Sequence, residues 1–297
     1  MTEPTTREPE TRTLEAPGAT IHYDVRGDPS EAAAEAPTLM LVGSPMGASG
    51  FTTLAGYFGD RPVVTYDPRS AGRSTRTDGA AETTPEEHAE DLRLVIEALG
   101  VDRVDLFGSS GGAVNSLALV AEHPERVRTL VAHEPPLAEV LPDREQIVAA
   151  CEDISRTYRT SGFGPAMATF ISLAQLDGPV PDGFAGTPVD PARYGLPTED
   201  DGSRDDPLVG HNIRTCCSYR LDYDAVAAAP TRAVLAVGRE SGGELSARGA
   251  VGVAQRLGIE PTMFPSHHAG YMAAEESGME GDPEGFAAAL RRVLSDA

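Results

Sequence analysis

Short apolar runs alternate along the chain with longer stretches in which apolar residues recur every three or four positions. Eight runs have the length and composition of strands, namely residues 13–15, 21–26, 38–42, 62–66, 104–107, 127–132, 233–237 and 261–264. Strand patterns that alternate with helical patterns are typical of a parallel sheet with helices on both faces. We therefore predict an α/β fold built on a mostly parallel, eight-stranded sheet.

Two of the helical stretches have well-marked ends. In the first, Thr84 has the position of an N-cap, Pro85 that of the first helical residue, and Glu87 completes a capping box. Gly100 ends the apolar stripe of this helix, as glycine commonly does. In the second, Asp282 precedes an apolar stripe that runs to the end of the sequence. The sequence therefore predicts one helix between Thr84 and Gly100 and another after Asp282.

Residues 138–226 break this alternation. They contain two stretches with helical spacing, around residues 147–158 and 167–173, and then a segment from 177 to 207 rich in Gly, Pro and Asp. A segment of this kind between two strands is typical of a lid over the carboxyl edge of a sheet, where open α/β folds bind ligands. We predict a core domain of residues 13–137 and 227–297 with a cap insertion at 138–226. Residues 1–12 are polar, and we expect a disordered tail there rather than a secretory signal.

The most specific chemical signal is the motif G-x-S-x-G formed by Gly108, Ser110 and Gly112. An apolar strand precedes it and an amphipathic helix follows it, so the motif predicts a tight strand-to-helix turn that exposes the serine. A serine hydroxyl is a weak nucleophile at neutral pH and needs a general base. His268, in the loop after the last strand, is our candidate for that base, and His267 would line or tune the site.

The acid that orients the base has two candidates. Glu134 follows the strand 127–132, and Glu240 follows the strand 233–237, so both lie on the same rim of the sheet as Ser110. Two prolines, Pro135 and Pro136, would stiffen the position of Glu134. We favour Glu134 and keep Glu240 as the alternative.

An oxyanion hole needs backbone N–H donors beside the developing negative charge. Gly111 follows the nucleophile directly, and the loop after the strand 38–42 supplies the second donor. Because Pro45 has no N–H, that donor is Ser44 or Met46, and we favour Ser44. The residues predicted to bind substrate are Met46, Tyr158, Met167, Phe170, His211, Tyr219 and His267.

Composition restricts the partners, the cellular location and the substrates that we expect. The 297 residues carry a net charge of −22, and all the basic residues are arginine, which argues against nucleic acid or an anionic membrane as a partner. The three cysteines lack metal-site spacing and read as reduced thiols of a cytoplasmic protein. No apolar run is long enough to cross a membrane. We expect a small, largely apolar substrate and neither a metal nor an organic cofactor.

In strand order, elbow motif, late histidine and inserted cap, the chain resembles the α/β-hydrolase superfamily. Within it, Gly108-Ser109-Ser110-Gly111 and His133-Glu134-Pro135 are similar to the zearalenone lactonases, whose acid is a glutamate after the strand that follows the elbow helix. The resemblance implies Ser110 as nucleophile, Glu134 as acid and His268 as base. The chain departs from the frequent His-Gly oxyanion motif of the superfamily, because Val42-Gly43 stands there.

These observations predict a serine hydrolase that cleaves an ester or lactone through an acyl-enzyme on Ser110. Hydrolysis of an amide or of a C–C bond would use the same triad. A ligand-binding protein that keeps the fold with little turnover is the alternative outside enzymes.

Overall fold

The computed structural model describes residues 7–296, and within that range nine strands form one sheet. The strands are β1 Glu10–Ala16, β2 Ala19–Arg26, β3 Leu39–Val42, β4 Val63–Tyr66, β5 Thr75–Arg76, β6 Val104–Ser109, β7 Val127–His133, β8 Arg232–Gly238 and β9 Thr262–Phe264. Their order in the sheet is β1-β2-β4-β3-β6-β7-β8-β9, and β5 pairs with β2. From β4 to β9 all pairings are parallel, whereas β2 pairs antiparallel with its three neighbours.

Ten α-helices lie within the described range. They are α1 Thr52–Gly56, α2 Pro85–Ala98, α3 Gly111–Glu122, α4 Arg144–Ser161, α5 Phe163–Ala174, α6 Ile213–Cys217, α7 Tyr223–Ala228, α8 Leu245–Leu257, α9 Ala274–Ser277 and α10 Pro283–Ser295. A π-helical turn, Pro207–Asn212, leads into α6. Between residues 7 and 296 no helix is both long and apolar enough to span a bilayer.

The two faces of the sheet are covered by different helices. Successive residues of a strand point to opposite faces of the sheet. Leu106 and Leu130 therefore belong to the apolar cluster under α2, α3, α7 and α8. Their neighbours Phe107 and Val131 belong to the cluster on the other face, under α1 and α10. Both clusters are fully buried at the central strands. The predicted α/β architecture with helices on both faces is therefore confirmed.

Two details of the sheet differ from the prediction. The ninth strand, β5, has two polar residues and carries no apolar signal. Strand β1 begins at Glu10 rather than residue 13, because Glu10, Thr11 and Arg12 pair with β2 at an exposed edge where polar side chains are tolerated. Residues 10–12 of the predicted disordered tail are thus in the sheet, and residues 1–6 lie outside the described range.

Helices α4, α5 and α6 and the π-helical turn share a third apolar cluster, together with Leu245 at the start of α8. The loop that follows α5 has few apolar residues and is held by carboxylates of the α4 region. Asp143 accepts a hydrogen bond from the Val180 amide at 2.7 Å, and Asp153 accepts one from the Gly186 amide at 2.7 Å. Helix α7 crosses the predicted end of the cap at residue 226 and packs on the main sheet cluster through Tyr223 and Val226.

Candidate active site

Ser110 lies in the sharp turn between β6 and α3. Its φ of 57° and ψ of −126° are strained for a residue with a side chain, and its amide donates to the His133 carbonyl at 2.9 Å. A Cβ on Gly112 would overlap the Val42 carbonyl oxygen, and one on Gly108 would lie 2.7 Å from the Gly112 carbonyl oxygen. The motif glycines are therefore required by close approach of backbones, and the turn holds the Ser110 side chain away from the sheet.

Glu134 occupies a second unusual turn, directly after β7, with a φ of 50°. Its carboxylate is fully buried. Oε1 accepts a hydrogen bond from the Gly238 amide at 2.8 Å, and Oε2 accepts one from His268 Nδ1 at 2.6 Å. The structure therefore joins the histidine and the glutamate that the sequence analysis favoured.

The charge state of Glu134 follows from its contacts. Burial alone raises the pKa of this carboxyl group, but the hydrogen bond from His268 and the nearby rings of His133 and His268 outweigh burial and hold the pKa at about 2. Glu134 is therefore ionised at neutral pH. An ionised partner on Nδ1 leaves Nε2 of His268 free to act as a base toward the cavity.

Glu240, the alternative acid, is exposed on the turn after β8. Its amide donates to the Ser266 carbonyl at 3.0 Å, whereas its side chain forms no hydrogen bond among the described residues. The buried position one residue further along is Ser241. Of the two candidate acids, only Glu134 contacts His268.

A second histidine lies behind His268. The buried ring of His133 stacks on the His268 ring with centroids 5.7 Å apart, and its Nδ1 is 3.0 Å from the Ser109 hydroxyl. Burial lowers the pKa of His133 to about 4, so this ring is neutral at neutral pH. His133, Glu134 and His268 each have a possible metal-ligand atom within 4.8 Å of the others. Both Glu134 oxygens already accept hydrogen bonds, which favours a hydrogen-bonded relay over a metal site.

Ser110 and His268 both line one cavity of about 520 Å³. It lies between the edge of the sheet and the layer formed by α4, α5, α6 and the π-helical turn, called here the α4–α6 layer. No hydrogen bond joins the Ser110 and His268 side chains, and catalytic hydrogen bonds of this kind are often long until substrate binds. Of the residues predicted from the sequence, Ser44, Met46, Ser110, Gly111, Phe170 and His268 line this cavity. The lining residues that sequence reasoning missed include Leu173, Leu208, Asn212, Ile213, Cys216, Cys217, Glu244, Leu245, Tyr271 and Met272.

The two predicted oxyanion donors are neighbours at the cavity wall. Gly111 is the first residue of α3, so its N–H has no partner within the helix. A Cβ on Gly111 would lie 2.5 Å from the Ser44 carbonyl oxygen, which shows how closely the two loops approach. The Ser44 hydroxyl accepts a hydrogen bond from Asn212 Nδ2 at 3.2 Å and is thereby tied to the π-helical turn.

Five residues predicted to bind substrate lie outside this cavity: Tyr158, Met167, His211, Tyr219 and His267. The Tyr158 hydroxyl accepts from the Asp206 amide at 2.9 Å and is buried within the α4–α6 layer, where Met167 also packs. His211 contacts the Ala81 carbonyl through Nδ1 at 2.6 Å.

The remaining two of these five residues, Tyr219 and His267, also contact other parts of the protein and not the cavity. Tyr219 packs against the main sheet cluster, and His267 Nε2 contacts the Glu280 carbonyl oxygen at 2.9 Å. Helical spacing marks which residues are buried, but a helix in a cap has one face toward its neighbours and another toward the ligand. The sequence alone does not separate these faces.

Comparisons with known proteins give the family. The alpha/beta hydrolase fold family matches residues 37–204 of the chain. The uncharacterized hydrolase YraK of Bacillus subtilis is 28% identical over 267 residues, which cover 87% of this chain and 89% of that protein. The carboxylesterase CesB of Bacillus subtilis superposes with a TM-score of 0.64 at 16% identity, covering 98% of this chain and 93% of the other.

The enol-lactonase of Burkholderia xenovorans superposes with a TM-score of 0.62 at 16% identity, covering 96% of this chain and 100% of the other. At such low identity the two solved structures establish the fold alone. The chain belongs to the alpha/beta hydrolase fold family, as the sequence resemblance implied. It is a hydrolase of that fold.

Proposed function

We propose that the protein is a serine hydrolase that cleaves a carboxylic ester or lactone of a small, largely apolar molecule. The observation that carries this proposal is the 2.6 Å hydrogen bond from His268 Nδ1 to the buried Glu134 carboxylate, beside a cavity that Ser110 also lines. A nucleophile on a strained turn, a base and an ionised acid are the parts that acyl transfer requires.

In the proposed mechanism, Ser110 Oγ attacks the substrate carbonyl and His268 Nε2 takes the hydroxyl proton. Glu134 stabilises the imidazolium that forms, because it is ionised and hydrogen-bonded to the opposite ring nitrogen. The amides of Ser44 and Gly111 would bind the oxyanion, helped by the positive end of α3. His268 then protonates the leaving alkoxide, and water attacks the acyl-enzyme by the same route to regenerate Ser110.

The lining of the cavity supports an apolar substrate body. Met46, Phe170, Leu173, Leu208 and Met272 contribute side chains without polar hydrogens to the wall. A carboxylesterase and an enol-lactonase are among the proteins with the same fold, which is consistent with ester or lactone cleavage. We further propose that the α4–α6 layer is the cap of this cavity and that the protein is cytoplasmic, with Cys151, Cys216 and Cys217 as thiols.

Labelling and turnover test the proposal together. The wild type should react covalently with a fluorophosphonate and hydrolyse short p-nitrophenyl esters, and Ser110→Ala should lose both. Ser109→Ala is the matched control for labelling, because the adjacent Ser109 is only 1% exposed and should not be the labelled residue. Absence of both labelling and Ser110-dependent turnover would favour a ligand-binding protein. Turnover of amides but not esters would instead favour an amidase.

A further inference from the structure

Among the described residues that line the cavity, Glu244 is the only carboxylate. The rest of the lining is apolar or carries neutral polar groups, apart from His268, and no arginine contributes to it. Glu244 is half-buried, so its carboxylate loses part of its hydration, and a cation or N–H donor in the cavity would compensate that loss. Its presence therefore bears on what the cavity binds.

The Glu244 side chain forms neither a hydrogen bond nor an ion pair with any described residue, and it does not cap the helix that follows it. Burial raises its pKa, and the ionisable groups around it are His268, Glu134, His267 and Asp177. The nearest arginine along α8, Arg248, is engaged elsewhere, since it contacts Asp143 and the Gly178 carbonyl. Among the described residues, the carboxylate therefore has no hydrogen-bonding or ion-pairing partner.

The backbone fixes Glu244 in place at the cavity wall. Its amide donates to the Ser241 carbonyl at 3.2 Å, and its own carbonyl accepts from the Arg248 amide at 3.0 Å in the first turn of α8. The two residues that follow, Leu245 and Ser246, line the cavity as well. A ligand that fills the cavity beside Ser110 would therefore meet a carboxylate on a rigid helix start rather than on a mobile loop.

We propose that Glu244 binds a substrate ammonium group, so that the preferred substrates are esters or lactones with an apolar body and a basic amine. An ammonium would supply both the opposite charge and the N–H donors that the carboxylate lacks. The net charge of −22 also favours a cationic substrate, because it attracts cations to the protein at long range. This inference rests on the proposed serine hydrolase function and narrows its substrate class.

The test compares p-nitrophenyl esters of ω-aminoalkanoic acids of several lengths with the esters of the unsubstituted acids of equal length. The measured quantity is the ratio of kcat/KM for the amino ester to kcat/KM for the neutral ester. We expect at least one chain length to be preferred as the amine, and Glu244→Gln to lower that ratio by about tenfold or more, as for loss of a charged hydrogen bond.

Glu260→Gln is the matched control, because this exposed glutamate just beyond the other end of α8 removes the same charge without touching the cavity. It should leave the ratio unchanged. A ratio that does not fall in Glu244→Gln while both esters are still hydrolysed overturns the inference and leaves the hydrolase function standing. Equal preference for the N-acetylated amino ester also overturns it, since charge would then not be recognised. Loss of turnover of every ester in the wild type would instead defeat the proposed function itself.

Discussion

Each oxygen of the Glu134 carboxylate accepts one hydrogen bond, from the Gly238 amide and from the His268 ring. A glutamine there would retain one carbonyl oxygen but lose the charge that balances a protonated imidazole, and its NH₂ group would oppose the His268 N–H. We therefore expect Glu134→Gln to lower kcat for p-nitrophenyl esters roughly 10³- to 10⁴-fold, as in other triads. Glu240→Gln should retain most of the turnover. The reverse outcome would move the acid to the turn after β8.

For individual residues, the sequence predicts those that belong to a motif and misses those whose position depends on tertiary packing. The turn at Ser110 was predictable because three small residues between a strand and a helix permit only a tight turn. Glu134 remained one of two candidates, since both follow strands that end on the same rim; only the contact with His268 separates them. Glu244 carried no signal, because a glutamate before a helix is common and the cavity beside it forms only in the folded chain.

Among the elements, helix α2 carries a buried group that couples folding to pH. His88 is fully buried, and neither ring nitrogen has a hydrogen-bond partner within the described residues. Burial, followed by the charges of Arg69 and Arg76, lowers its pKa to about 3 from an ordinary value of 6.5. The folded state therefore favours the neutral ring, so His88 gives no penalty above pH 6.5 and destabilises the fold increasingly as the pH falls toward 3.

We expect His88→Leu to remove this dependence. Between pH 6.5 and about pH 3, the unfolded chain binds one more proton at this position than the folded chain does. The free energy of unfolding therefore falls by about 1.4 kcal/mol for each unit by which the pH is lowered. Urea denaturation of wild type and variant at several pH values between neutral and mildly acidic measures the difference in slope. Equal slopes for the two proteins would show that His88 is protonated in the fold or already neutral in the unfolded chain.

Element ends were predictable where side chains cap the backbone. The capping box of α2 forms as expected, with Glu87 N–H donating to the Thr84 hydroxyl and Thr84 N–H donating to the Glu87 carboxylate. The Asp282 side chain likewise accepts from the Gly285 amide at the start of α10. Strand β5 was not predictable, since its two residues are held by pairing with β2 and by no pattern of their own.

Across the whole molecule, the net charge of −22 creates a field that salt can screen. The screening length falls from about 30 Å at 0.01 M to about 8 Å at physiological ionic strength. We expect kcat/KM for an amino ester to fall as NaCl is raised, while kcat/KM for a neutral ester of the same length changes little. The effect should persist in Glu244→Gln, because it arises from the entire surface. An equal salt effect on both esters would show that long-range charge does not steer substrate.

The acid that contacts His268 follows β7, so the turn between β8 and α8 supports that histidine only through backbone contacts, the Gly238 amide donating to Glu134 and the Glu240 amide to the Ser266 carbonyl. The turn also borders the cavity through Glu244, so its side chains can change in evolution as long as these backbone contacts to the relay are kept. Descendants of this chain would then be expected to diversify between Gly238 and Leu245 when they acquire new substrates. The segment from Ser109 to Pro135 would stay under purifying selection.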